Sequence, residues 1–171
     1  MTSRTFGIAA FLASCFAASI AQSETRTLAR YGVWEAFGGT ANDGKPVCGV
    51  SSSGDGLFFS LKVFSGDNTV TVQLGSDKWK INKGDRVPVH LRFDNYPRWT
   101  ANGTGMRFSD GDAGLWFTVA RSQLRDFIVQ FRASYRMVVQ FGGSGMTDWR
   151  GDLTGTNAVT NVFANCVSRL D

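Results

Sequence analysis

The chain has 171 residues, 13% of them aromatic, and a net charge of +4 with a sequence pI near 9.2. Its basic residues are dispersed rather than run together, which argues against a nucleic-acid footprint. No low-complexity tract, repeat or proline-rich linker divides it, so one domain with a real core is expected.

The first 23 residues stand apart, with Arg4 as their only charge. An apolar run starts near Gly7, and Ser19-Ile20-Ala21 or Ala21-Gln22-Ser23 suits signal peptidase. The run is about 15 residues, short of the about 20 that cross a bilayer. Two other readings stay open. One is a retained anchor. The other is a lipoprotein, since Leu12-Ala13-Ser14-Cys15 fits the pattern in which the cysteine is acylated, although the apolar run continues through Phe16 to Ile20. The expectation is a periplasmic or secreted chain, with residues 24–171 as a single β-rich domain and a net charge falling to about +3 once Arg4 is removed.

Export simplifies the cysteines. Cys15 leaves with the leader or carries lipid, and Cys48 and Cys166 remain in a compartment where disulfides persist. Near the C terminus Val159, Val162, Phe163 and Cys166 fall on one helical stripe, with Thr156 or Asn157 available as a cap. Cys48 lies in an early strand-like step, so a Cys48–Cys166 bridge would pin the last helix to the first part of the body. Two separate buried thiols or a reactive pair are the competing readings. No C-x-x-C occurs, so redox catalysis is not expected.

Between the cysteines the chain reads as strands punctuated by Gly, Asn and Asp. Residues 57–64 and 68–76 alternate around a Ser65-Gly66-Asp67 hairpin turn. In residues 86–94, Val87, Val89, Leu91 and Phe93 face in while Pro88, His90, Arg92 and Asp94 face out, which marks a sheet with one wet side. Residues 114–120 and 135–141 continue the pattern. Between them, Leu124, Phe127, Ile128 and Phe131 keep helical spacing after a possible Ser122 cap. A last strand is expected over Trp149 to Leu153. The fold expectation is mainly β: an antiparallel β-sandwich or partly open barrel with one inserted amphipathic helix and a C-terminal helix.

Motifs for chemistry are sparse. His90 is the only histidine and points outward, and no G-x-S-x-G elbow is present. Asp43, Asp55, Asp67, Asp110, Asp112 and Asp148 cluster in turns, where Asp-Gly is ordinary turn chemistry rather than paired acid–base work. The loop "SDGDAG" (109–114) lacks the later ligands of an EF-hand, and "GGSGMTD" (142–148) occurs once, so no metal or cofactor is expected. The tripeptide Arg150-Gly151-Asp152 has the composition of an adhesion motif, but chance or a strand explains it as well.

The aromatic residues are more suggestive. Five tryptophans are spread along the chain, and aromatics on a sheet face can bind apolar, glycan or peptide ligands. Trp116 alternates away from Leu115, Phe117 and Val119, while Tyr96 and Trp99 flank Arg98 in what reads as a loop or strand edge. Tyr96, Arg98, Trp99 and Trp116 are the candidate ligand-binding residues; no catalytic residue is assigned.

The segments "RYGVWEAFGG", "KPVCGV" and "DLTGTNAVTNVFANC" together resemble the invasion-associated locus B family of exported α-proteobacterial proteins, through Gly32, Trp34, Cys48, Leu153, Gly155 and Ala158. The likeness covers the two ends of the domain. It departs where the family places a cysteine soon after the tryptophan; here the second cysteine lies near the C terminus. The resemblance implies a periplasmic or surface-associated β domain without recognised catalytic residues. Three functions remain as expectations: a non-enzymatic envelope protein that binds a partner or envelope component through an aromatic sheet face, a secreted or surface-associated host-interaction factor, or a carboxylate-based hydrolase.

Overall fold

The alternating segments form ten antiparallel strands in a computed structural model that describes residues 24–143 and 146–170. The leader, with Cys15, lies outside the described residues, as do Ser144 and Gly145 of the glycine-rich segment. In chain order the strands are β1 (Glu24–Tyr31), β2 (Trp34–Thr40), β3 (Pro46–Gly54), β4 (Leu57–Phe64), β5 (Thr69–Ser76), β6 (Arg86–Phe93), β7 (Trp99–Arg107), β8 (Ala113–Ala120), β9 (Arg136–Phe141) and β10 (Trp149–Asp152). Helix α1 (Leu124–Ala133) joins β8 to β9, and α2 (Thr156–Val167) follows β10. All belong to one sheet, ordered β1-β2-β3-β4-β5-β8-β7-β6-β9-β10.

Alternation decides which side each strand buries. In β6, Val87, Val89, Leu91 and Phe93 are buried and Arg86, Pro88 and Arg92 are exposed; β8 buries Leu115, Phe117 and Val119 and turns Trp116 and Thr118 out. The inward residues meet in a single core, whose largest fully buried side chains include Trp34, Phe59, Phe93, Phe127, Phe131 and Phe163. Rings from distant parts of the sheet touch there. Trp34 of β2 lies edge-on to Phe131 of α1 with centroids 5.1 Å apart, and Phe59 of β4 reaches Trp149 of β10 at 6.3 Å.

The sheet therefore curls until its two ends approach without pairing, as a partly open barrel. Trp34 donates its indole N–H to the Asp152 carbonyl at 3.0 Å, which ties β2 to the end of β10. Next to this contact Gly155 holds φ +97°, and a Cβ there would stand 2.7 Å from the Tyr31 carbonyl oxygen. Only glycine meets both demands. Gly155→Ala should cost about 2 kcal/mol of stability, readable as a shift of the urea midpoint with an unchanged m-value.

Cys48 of β3 and Cys166 in the last turn of α2 are joined as a disulfide, with Cα atoms 5.9 Å apart and a sequence separation of 118. Helix α2 packs on β1, β2 and β3 through this end, and burial of Val159 and Phe163 holds its middle. Gly38 of β2 leaves room for the bridge, since a Cβ there would lie 2.8 Å from the Cys166 sulfur. Gly38→Ala should slow formation of the bridge during oxidative refolding, followed by counting free thiols against time.

Three local expectations differ from the structure. Neither Thr156 nor Asn157 caps α2 through its side chain: Gly155 occupies the cap position, and the Thr156 hydroxyl lies within hydrogen-bonding distance of the Leu153 and Phe131 carbonyls, at 2.8 and 3.1 Å. Ser122 lies in a 3-10 turn, Arg121–Gln123, so α1 starts at Leu124 without a side-chain cap. Residues 95–105, expected as a loop or strand edge, divide: Tyr96 lies in a turn, and from Trp99 on the chain forms strand β7 inside the sheet. Its inward positions are Ala101, Gly103 and Gly105 because Ile81 and the Asn82 backbone lie against Gly105 and leave no space for a side chain.

Candidate functional site

The four sequence candidates divide between the two faces of the sheet. Arg98 and Trp99 line a small cavity of about 270 Å³ on the inward side, with Leu91, Phe117 and Gln123. Trp99 is half-buried; its indole N–H donates to Gln130 Oε1 at 2.8 Å and its ring lies edge-on to Phe127, so it fastens α1 to β7. Tyr96 is exposed in the turn before β7. Trp116 is on the opposite, outer face, 41% exposed in the middle of a central strand.

Strand register fixes what surrounds Trp116. Residues paired directly across antiparallel strands share a face. One outer row therefore runs Glu35, Ser51, Ser60, Gln73, Trp116, Thr104. The next row over runs Phe37, Gly49, Lys62, Thr71, Thr118. Gly49 leaves the space into which the Phe37 ring folds, and Gly75 and Gly114 do the same for Phe108, which lies edge-on to Phe58 at 5.1 Å. Bare glycine floors thus let aromatic rings lie down on a face that alternation alone assigns to solvent.

These rings border a cleft of about 540 Å³ walled by Phe37, Phe58 and Phe64, with Ser60 and Lys62 of β4 between them and Arg26 of β1 at its rim. Ser60 is fully buried, and its Oγ has no hydrogen-bond partner among the described residues. Lys62 makes no hydrogen bond or ion pair within the described residues, and burial holds its pKa below the ordinary value of 10.5. The two acids at the cleft are occupied elsewhere: Glu35 pairs with Arg30, and an Asp43 carboxylate oxygen accepts the Lys45 N–H at 3.1 Å. An uncompensated ammonium and an orphaned hydroxyl side by side are costly to keep.

This has a pH consequence. Because folding disfavours charged Lys62, the unfolded chain binds more protons between the folded pKa and 10.5, and stability rises with pH across that window. The charges lining the cleft with Lys62 are Arg26, Glu35 and Asp43. Lys62→Met should remove this alkaline rise and stabilise the protein at neutral pH by about 1 kcal/mol, a gain of about 2–4 °C in melting temperature.

Other sequence features take structural places. His90 sits on the outer face of β6 opposite Thr100 and Gln140. Arg150-Gly151-Asp152 is extended in β10. The Asp152 carboxylate accepts the Thr154 N–H at 2.8 Å, which lowers its pKa below the usual value. Asp110 accepts the Asp112 N–H at 3.0 Å inside its turn. Among the described residues no group of three or more His, Cys, Asp or Glu side chains is placed to hold a metal ion.

Alternation along β4 places Ser60 and Lys62 on the face opposite Phe59, Leu61 and Val63. A signal was present: "FFSLKVF" puts Phe58 and Phe64 on the same side as Ser60 and Lys62, an aromatic at each end of a face expected to be polar.

No family model matches the chain, and no curated protein matches it. Its structure is similar to the crystal structure of invasion associated protein B from Bartonella henselae, with a TM-score of 0.52 and 14% identity. The alignment covers 87% of this chain and 100% of that one. The fold is shared. The likeness read from the ends of the domain thus has a structural counterpart spanning most of it.

Proposed function

We propose that this chain is a non-catalytic binding domain of the exported compartment, which engages a partner or envelope component through the outer face of its sheet around Trp116. The observation that carries the reading is a large indole, 41% exposed on a central strand, near a cleft that holds three phenylalanine rings and in which Ser60 and Lys62 lack partners among the described residues. Surfaces of this composition supply contact area at a small cost in conformational entropy. A binding role rather than a hydrolytic one is favoured because the acids at the cleft are held by Arg30 and by the Lys45 backbone. The disulfide supports export, since such bonds persist in oxidising compartments.

The name of the structural neighbour, an invasion associated protein, favours a second reading, in which the partner is a host component met outside the cell. One experiment addresses both. A photo-crosslinking residue placed at Gln73 or Thr118 in the native organism should give a discrete adduct, and one at Arg132 or Asn161 on the helices should not. Trp116→Ala should abolish the adduct while the melting temperature stays within about 2 °C, as for a surface substitution. Adducts from the helices alone would end the proposal. An adduct formed only with host cells present would select the second reading.

A further inference from the structure

The outer face around Trp116 has a chemical preference of its own. We propose that it binds an acidic glycan, with a pyranose ring against the exposed indole and a sugar carboxylate held by Arg86. This rests on the reading of the outer face as a binding surface and names the ligand class for it.

Trp116 stands apart from the other four tryptophans. Trp34 and Trp99 donate their indole N–H groups to Asp152 and Gln130, while Trp79 and Trp149 lie against Phe141 and Phe59. Among the described residues the Trp116 ring has no ring partner and its N–H no acceptor, and 41% of the residue is exposed. A large apolar surface with one unmet donor suits a ligand that is apolar on its face and hydroxylated at its rim. A pyranose has that form, with C–H bonds on its face and hydroxyls around it.

The neighbours supply matching polar groups. Gln73 and Thr104 pair with Trp116 from either side, and Thr71 and Thr118 follow in the next row. Amide and hydroxyl side chains both donate and accept, as sugar hydroxyls do. Thr71 and Thr118 make no side-chain hydrogen bond among the described residues, and Gln73 makes only a long one, 3.8 Å to the Met106 sulfur. A peptide would seek backbone partners, and β8, paired on both sides, offers none; this face offers side chains alone.

The charge is one-sided. From β4 to β6 these two rows carry two charges, Lys62 and Arg86, both positive. The row on the other side of Trp116, with Phe58, Gly75, Gly114 and Met106, carries none. Arg86 is exposed and belongs to no ion pair among the described residues. One Nη donates to Thr104 Oγ1 at 2.6 Å, which brings the guanidinium to the residue that pairs with Trp116. The neighbouring Asp85 carboxylate accepts the Asn82 N–H at 2.8 Å instead. The remaining donors of the fork suit a planar carboxylate, which they can bind through two parallel hydrogen bonds.

Calorimetric titration of the full mature protein with tetragalacturonate, a hyaluronan tetrasaccharide and the methyl esters of both tests the assignment. At least one of the two acids should bind saturably, and its ester about tenfold more weakly. Arg86→Gln should lose about tenfold in affinity for that acid and leave its ester unchanged. Trp116→Ala should abolish binding of acid and ester alike. In the unsubstituted protein the acid should shift the Trp116 indole N–H signal in ¹H–¹⁵N spectra and leave those of Trp34 and Trp99 in place, a readout that needs no variant to fold. Saturable binding by neither acid, equal affinity of acid and ester, or an unmoved Trp116 signal would overturn the inference. Equal binding of tetraglutamate would overturn it too, because charge alone would then be recognised. The probes need no macromolecular partner. Failure of both acids alongside a preserved crosslink from Thr118 therefore discards the glycan and leaves the binding face, whereas loss of the crosslink alone discards the partner reading and leaves the glycan site.

Discussion

Cys166→Ser and Cys48→Ala should each lower the unfolding free energy by about 4–5 kcal/mol, and the double variant should lose scarcely more than either one. The size follows from the chain between the sulfurs. The bridge closes 118 residues, nearly the whole domain, and the denatured ensemble is correspondingly freer once it opens. The equality follows from thermodynamics, because each single substitution removes the same crosslink. The remaining asymmetry comes from local packing: Cys48 is fully buried in β3, whereas Cys166 is half-buried at the end of α2. Denaturant titrations of the four proteins in the cycle give a coupling energy close to the single loss. Additive losses would mean that each sulfur contributes only through its own packing and that the crosslink does not constrain the unfolded chain. Adding a reductant to the unsubstituted protein should bring it to the stability of the variants. Against a typical domain stability of about 5–15 kcal/mol, a loss of this size leaves the reduced protein close to its unfolding threshold.

How much of this was legible in the sequence depends on where the pattern was carried by side chains. Strands β4, β5, β6, β8 and β9 bury one face in a large core and leave the other wet, so their period of two is written in Val, Leu and Phe. Helix α2 shows its stripe for the same reason, and that stripe is what directs Cys166 toward β3. Strand β7 carries no such record, because neighbouring backbone fills the space its side chains would have taken, and glycine is indistinguishable in sequence from a turn. Strand β1 is an edge strand rich in charge, with Glu24, Arg26 and Arg30 exposed, and edge strands are kept from aggregation by just such residues. The site was legible in part. Trp116 follows from alternation, but Trp99 needed the position of Gln130, thirty-one residues on, to appear as a brace between α1 and β7. The cleft around Lys62 depends on Phe37 folding over Gly49 across two strand pairings, which no local window contains.

The curled sheet also makes Trp34 the residue whose removal should be felt furthest. Trp34→Ala should cost about 3–5 kcal/mol. The side chain is 2% exposed, lies edge-on to Phe59 and Phe131, and holds the start of β2 against the end of β10. Two contributions are combined in that figure, and Trp34→Phe separates them. Phenylalanine retains most of the ring packing and loses the N–H that the Asp152 carbonyl accepts, so its cost should include a lost hydrogen bond of about 1 kcal/mol and a smaller packing defect. The two substitutions should also differ in where they act. Trp34→Ala opens a cavity in the core shared by β4 and α1 and lowers global stability throughout. Trp34→Phe releases the seam between the two ends of the sheet, so amide exchange should quicken in β1, β10 and the Leu153–Gly155 turn before it does in β5 or β8. Equal exchange changes in all strands of Trp34→Phe would mean that the seam is held by α2 and the disulfide alone. A gradient from seam to centre would mean that the indole N–H is what keeps the open barrel closed at its edge.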